Sequence, residues 1–185
     1  MQEEAMNERA TLLLVALVFL SPCSVTAAES GRSADVQAGS GPEMRVIEKW
    51  RGTWEVKSVR RAPQPVQEIQ YVETFEWVLD GRFLRSQTSR KTDGGMSSSM
   101  FWFDVFTKTY RFVVFDAGGF ALELPPPTWN EATQTMEWKS GSLSPTSYTA
   151  HATFSDGDTI RWRSLWKDWK GTAILELEGV STRRK

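Results

Sequence analysis

Residues 68–89 read EIQYVETFEWVLDGRFLRSQTS, and this stretch decides the fold. Ile69, Tyr71, Phe75 and Trp77 fall on alternate positions, with mostly polar neighbours between them. Side chains of a strand point to opposite faces in turn, so this period of two predicts a half-buried strand over Glu68–Val78. Asp80-Gly81 follows. Glycine accepts the positive φ of a type I′ turn, which predicts a two-residue hairpin and a return strand over Arg82–Ser89.

Outward from this hairpin the same period holds to the end of the chain. Strands are predicted over Thr53–Val59, Met96–Asp104, Tyr110–Asp116, Phe120–Leu124, Thr135–Ser140, Tyr148–Ser155, Asp158–Lys167 and Thr172–Ser181, which with the hairpin makes ten. The turns carry Asp93-Gly94-Gly95, Gly118-Gly119, Asp156-Gly157 and Lys170-Gly171, and Pro125-Pro126-Pro127 stops the sixth strand because proline donates nothing to a ladder. Asp104–Thr109 and Asn130–Thr135 share an Asp/Asn start and a Thr end, and read as two similar hairpins. No segment is long and periodic enough for a crossover helix. Only Met44–Arg51 (MRVIEKWR) is helical in pattern, with Val46, Ile47 and Trp50 on one face. The expected fold class is therefore all-β, an antiparallel meander of about ten strands closed into a barrel, because closure removes the exposed edges. A two-sheet sandwich is the alternative.

The N-terminal part reads as an export signal. Thr11–Leu20 (TLLLVALVFL) is an apolar run preceded by Arg9 and followed by small residues, and Val25-Thr26-Ala27 suits cleavage after Ala27 or Ala28. Met6 is an alternative start. The expected organisation is a signal over 1–28, a flexible Ser/Gly/Ala-rich leader over 29–43, and one domain over 44–185, exported to the periplasm or beyond. Leu20-Ser21-Pro22-Cys23 loosely fits a lipoprotein box, but Pro22 stands where a small residue belongs. Cys23 is the one cysteine, so the mature domain is expected to have neither a disulfide nor a thiolate metal site. The whole chain has net charge -1, and loss of the signal's three glutamates and one arginine brings it to about +1. The basic run Arg183-Arg184-Lys185 reads as a solvated chain end, and without a basic stripe a nucleic-acid partner is not expected.

Gly52-Thr53-Trp54, after the helical segment, resembles the Gly-x-Trp start of lipocalins. In that superfamily the Trp closes the barrel floor against a basic residue of a late strand, a role the resemblance implies for Trp54 with Arg161 or Arg163. Residues 73–84 (ETFEWVLDGRFL), with Asp104, Thr107 and Tyr110 further on, resemble a bacterial family known as domain of unknown function 1579. The match runs from about Trp50 to Gly179. It implies a calycin-like barrel of the lipocalin or fatty-acid-binding type, and brings no reaction with it.

The candidate ligand-binding residues are Arg82, Arg161, Arg163, His151, Trp102 and Tyr110, with Trp54 as the floor. An inward arginine binds a carboxylate in two-pronged fashion. Arg161 and Arg163 share one face of their strand. His151, the single histidine, suits a haem iron or a general base, although its neighbours Thr149, Thr153 and Ser155 favour a surface place. Glu73 and Glu76 fall on opposite faces and form no carboxylate pair. Phe101/Phe103 and Trp102 make both faces of one strand apolar, as do Phe112 and Val113 on the next. The outer face then needs a cover, from the Val46/Ile47/Trp50 segment or a second subunit. No Gly-x-Ser-x-Gly elbow and no phosphate loop is present, which argues against an enzyme. The reading favoured is an exported barrel binding a small apolar or amphipathic molecule, with no stable membrane insertion. Open alternatives are a filled barrel acting as an interaction module, with homodimer formation, and a haem-binding barrel.

Overall fold

The structure, a computed structural model, describes residues 41–141 and 144–185. The signal, most of the leader and Cys23 lie outside the described residues. One helix, α1 (Pro42–Glu48), precedes eleven strands: β1 (Gly52–Ala62), β2 (Gln67–Val78), β3 (Phe83–Thr88), β4 (Ser97–Asp104), β5 (Thr109–Asp116), β6 (Phe120–Glu123), β7 (Thr128–Asn130), β8 (Thr135–Lys139), β9 (Ser147–Asp156), β10 (Thr159–Lys167) and β11 (Ala173–Arg183). α1 begins inside the predicted leader, because Pro42 sits in its first turn, where a missing N–H costs nothing.

The strands form one antiparallel sheet in the order β6-β5-β4-β3-β2-β1-β11-β10-β9-β8-β7. Consecutive strands pair, except β6 with β7, and the first pairs with the last, from Trp54↔Arg183 to Ala62↔Glu176. The expected curled all-β meander is present. Its two end strands, β6 and β7, are consecutive in the chain and are joined across Pro125-Pro126-Pro127, where ladder donors are lacking.

Four details differ from the sequence reading. A three-residue strand, β7, follows the prolines and makes eleven strands where ten were predicted. The β2–β3 connection is Leu79–Arg82, with positive φ at Leu79, Asp80 and Gly81 (51°, 55° and 73°), and not a two-residue turn. α1 packs on the inside of one end and leaves the outer face of β4 and β5 uncovered: Val46, Ile47 and Trp50 are buried in the core. Trp50 meets Phe154 and Phe101 edge-on, at centroid distances of 4.7 and 5.3 Å.

The fourth difference is the partner of Trp54. Arg183, not Arg161 or Arg163, lies over the indole, with its guanidinium carbon 4.1 Å from the ring centroid. Its Nη1 donates to the Arg51 carbonyl, its Nη2 to those of Lys49 (3.0 Å) and Gly157 (3.1 Å), and its Nε to the Asp158 carboxylate (3.1 Å). Trp54 Nε1 in turn donates to the Trp50 carbonyl at 2.7 Å. Gly52 has φ +115°, and a Cβ there would stand 2.8 Å from Arg183 Nη1, so glycine is required for the guanidinium to pass. The last turn of α1, β1, the β9–β10 turn and β11 thus meet on one side chain, which belongs to the floor of the barrel and not to a solvated tail.

The two hairpins compared in sequence are alike in structure. Asp104 Oδ1 accepts from Phe106 and Thr107 (2.9 and 3.2 Å), and Asn130 Oδ1 accepts from Ala132 and Thr133 (3.1 and 3.2 Å). Lys108 and Gln134 take the same left-handed φ, 57° and 50°. The backbone hydrogen bonds also hold the Asp104 carboxyl below its ordinary pKa. Replacing Arg183 by Ala is expected to lower the unfolding free energy by about 2 kcal/mol or more in urea titration, since charge-assisted hydrogen bonds and a cation–π contact go together. Arg184→Ala is the control. That side chain only pairs with Glu55 in solvent, and its loss is expected to change stability by less than about 0.5 kcal/mol.

Candidate functional site

Alternation assigns each strand one inward and one outward set of side chains. Inward are Trp54, Val56 and Ser58 on β1; Ile69, Tyr71, Glu73, Phe75 and Trp77 on β2; Leu84, Ser86 and Thr88 on β3; and Ser99, Phe101 and Phe103 on β4. The opposite wall presents Phe112 and Val114 on β5, Trp138 on β8, Tyr148, Ala150 and Ala152 on β9, and Ile160, Trp162 and Ser164 on β10. Large rings and α1 fill the floor half. Above Trp54 and Trp50 a cavity of about 300 Å³ remains between the two walls. That is the lower end of the range for small-molecule sites, roughly 300–1,000 Å³.

The cavity wall is aromatic with a few polar groups. Glu73 is its one acidic side chain. It stands between Trp54 of β1 and Thr88 of β3, one step above the floor. Burial raises its pKa above the ordinary carboxylate range, while a hydrogen bond from Ser86 and the charge of Lys91 pull weakly the other way. Ser86 shares a 2.7 Å hydrogen bond with Ser99. Tyr71, next on the same face, has its phenol pushed far above its usual pKa, first by burial and then by the Glu73 charge. Lys91 lies over the Tyr71 ring, 5.2 Å from its centroid. Across the lumen, burial raises the Tyr148 phenol, which accepts a weak bond from Ser164 at 3.4 Å. Among the described residues the buried indole N–H of Trp138 has no acceptor, and neither has that of Trp166.

The sequence-predicted residues fall elsewhere. Arg161, Arg163 and His151 come together, as adjacent register positions of β9 and β10, but on the outer face. Where His151 and Arg163 border the lumen, they do so through the main chain, since Ala152 and Trp162 take the inward positions. Arg163 pairs outward with Glu176 at 2.6 Å. Arg82 and Trp102 share an outer hollow beside the start of α1, where Trp102 stacks on Phe83 at 5.6 Å. Tyr110 is inward but packed into the floor against Phe103 (5.3 Å) and Phe101 (6.0 Å), and burial pushes its phenol up to about 12. Trp54 is 1% exposed, beneath the Arg183 guanidinium. A haem bound in the lumen would find no imidazole there, because the single histidine points outward; the residues present do not fit that ligation.

Sequence reasoning passed over the residues that do line the cavity. The signal was available for Glu73: it has the parity of Ile69, Tyr71, Phe75 and Trp77, so it is the charged member of an apolar face.

No family model and no curated protein matches the chain. Among solved structures, Rv2717c from M. tuberculosis superposes with a TM-score of 0.58 at 14% identity, over 78% of this chain and 99% of that one. The S-type phycobiliprotein lyase CPES from Guillardia theta superposes with a TM-score of 0.51 at 11% identity, over 80% of this chain and 96% of that one. The likeness is one of fold, the curled antiparallel meander.

Glu73 sets a pH test of the lumen. The unfolded chain ionises it in the ordinary range, and the folded chain holds its proton longer, so this group costs stability once the pH exceeds that range. Glu73→Gln is therefore expected to raise the melting temperature at pH 7. The gain should shrink towards zero as the pH falls to about 4, near the free glutamate pKa. A gain that grows on acidification would place the carboxyl outside the cavity.

Proposed function

We propose that this chain is an exported, lipocalin-like carrier that holds one small apolar or amphipathic molecule in its lumen. The observation that carries this reading is the cavity of about 300 Å³ between the Trp50/Trp54 floor and the aromatic wall of β5 and β8–β10. Its lining, mostly apolar with a few polar groups, is the make-up of a small-molecule site. Phe75, Phe112 and Trp162 offer the apolar surface, and a small polar set at Glu73, Tyr71 and Tyr148 supplies orientation. The hairpin at 73–84 and the Asp104/Thr107/Tyr110 set support membership of the family known as domain of unknown function 1579, and the apolar run at 11–20 supports export to the periplasm or the medium.

A second reading, self-association, rests on one observation. Phe115, on the outward side of β5, is 44% exposed. Sedimentation of the mature chain tests it: a dimer dissociated by Phe115→Ser supports the reading, and a monomer at all concentrations removes it.

The carrier reading is tested with N-phenyl-1-naphthylamine, a neutral dye that brightens in apolar surroundings. Enhancement saturating at one dye per chain is expected. Ala150→Phe, which projects a ring into the cavity, should abolish it, and His151→Ala, on the outer face, should leave it unchanged. No enhancement with the unaltered chain, or equal binding by the Ala150→Phe variant, overturns the lumen as the site.

A further inference from the structure

On the outer face five glutamates of the sheet pair with arginines: Glu176 with Arg163, Glu178 with Arg61, Glu76 with Arg85, Glu123 with Arg111 and Glu55 with Arg184. Glu68 and Glu137 stand exposed on that face, where water solvates the charge. Glu73, alone among the acidic residues in lining the lumen, has no such partner. No cation forms an ion pair with it among the described residues: Arg163 is engaged outside with Glu176, and the ammonium of Lys91 sits over the Tyr71 ring and acts on Glu73 only as a more distant charge. A carboxyl in an apolar wall is expensive to ionise without a paired counter-charge, and here a hydrogen bond from Ser86 stands where an ion pair would.

The opposite wall is apolar and aromatic, with Phe112, Trp138 and Trp162 bordering the same cavity. One wall thus carries a carboxyl without an ion pair, and the other offers ring surface.

Resting on the carrier reading above, we propose that the lumen selects a small aromatic or aliphatic amine: a molecule whose protonated nitrogen pairs with Glu73 and whose apolar body packs against Phe75, Phe112 and Trp162. Carboxylate ligands of the fatty-acid kind are disfavoured, because the lumen offers them a like charge and no arginine.

Three molecules of nearly one shape and different charge test this: tryptamine, tryptophol and indole-3-acetate, each titrated by calorimetry and by displacement of N-phenyl-1-naphthylamine. Tryptamine is expected to bind at least about tenfold more tightly than tryptophol, the scale of a charge-assisted hydrogen bond, and indole-3-acetate most weakly. In Glu73→Gln the advantage of tryptamine over tryptophol should vanish while the dye still binds. Equal affinities for the three, a preference for the acid, or a tryptamine advantage that survives Glu73→Gln overturns the proposal. If the dye binds and no indole does, the amine selection fails and the carrier reading stands. If the dye does not bind either, both fall. The ranking in the unaltered chain decides the matter even if the variant folds poorly.

Discussion

The structure depends on one meeting, that of the two ends of the domain at Trp54 and Arg183. β1 and β11 pair along their length, and at the bottom of that pair the guanidinium lies on the indole. Until these strands join, the meander is a ribbon with long free edges, which is both unstable and prone to pair with other chains. Joining them requires closing a loop of most of the domain, a slow and entropically costly step. Arg183 concentrates what rewards that step. The same side chain takes up carbonyls just beyond α1, which no helix bond can satisfy, and the carboxylate of the β9–β10 turn. The helix is therefore held in the floor by the final strand, and the lumen has a closed bottom only when the chain is complete to Arg183.

Floor and lumen divide the aromatic side chains between two tasks. Below, Trp50, Phe101, Phe154 and Trp129 meet edge-to-face at centroid distances between 4.7 and 6.4 Å, an arrangement that fills space and adds attraction between ring edges and faces. Above, the inward positions of β1, β3 and β4 change to Ser58, Ser86, Thr88 and Ser99, side chains too short to reach across. Their hydroxyls are satisfied within the wall, by the Ile69 carbonyl, by one another and by the Ser97 carbonyl. The space left over is thus a consequence of small, already bonded residues facing large rings. The closest approach on the wall is at Gly179, where a Cβ would stand 2.7 Å from Trp162 and 2.8 Å from the Lys57 carbonyl. The ring of Trp162 lies flat across β11 because glycine is there.

How much of this was legible in the sequence follows from what each signal depends on. Alternation is local, and it located nearly every strand and the meander; the pairing of the first strand with the last is present, while β6 and β7 remain the two unpaired ends of the sheet. The signal for β7 was also present: Asn130 opens a turn matching the one after Asp104, and a hairpin turn implies a strand before it. Three prolines directly upstream hid a strand only three residues long. The Leu79–Arg82 turn was misread because Asp-Gly predicts a two-residue loop, whereas Leu79 and Asp80 both take left-handed conformations here. The choice between Arg161, Arg163 and Arg183 needed the register of β11, which no local pattern contains. Parity alone, however, already set Arg161 and Arg163 opposite Ile160 and Trp162, and so outside.

The same parity test exposes what a search for familiar chemistry overlooks. Histidine and arginine draw attention because they ligate and pair, yet here they occupy the positions where charge is cheapest. The informative residue is the one whose chemistry conflicts with its position. Glu73 stands in a row of aromatic and aliphatic side chains, in a wall where serine or threonine would satisfy the same neighbours without a desolvation cost. Packing does not explain a carboxyl there, and among the described residues no ion pair does. What remains is a role that begins when something else enters the barrel, and the sign of the charge states what that something must carry.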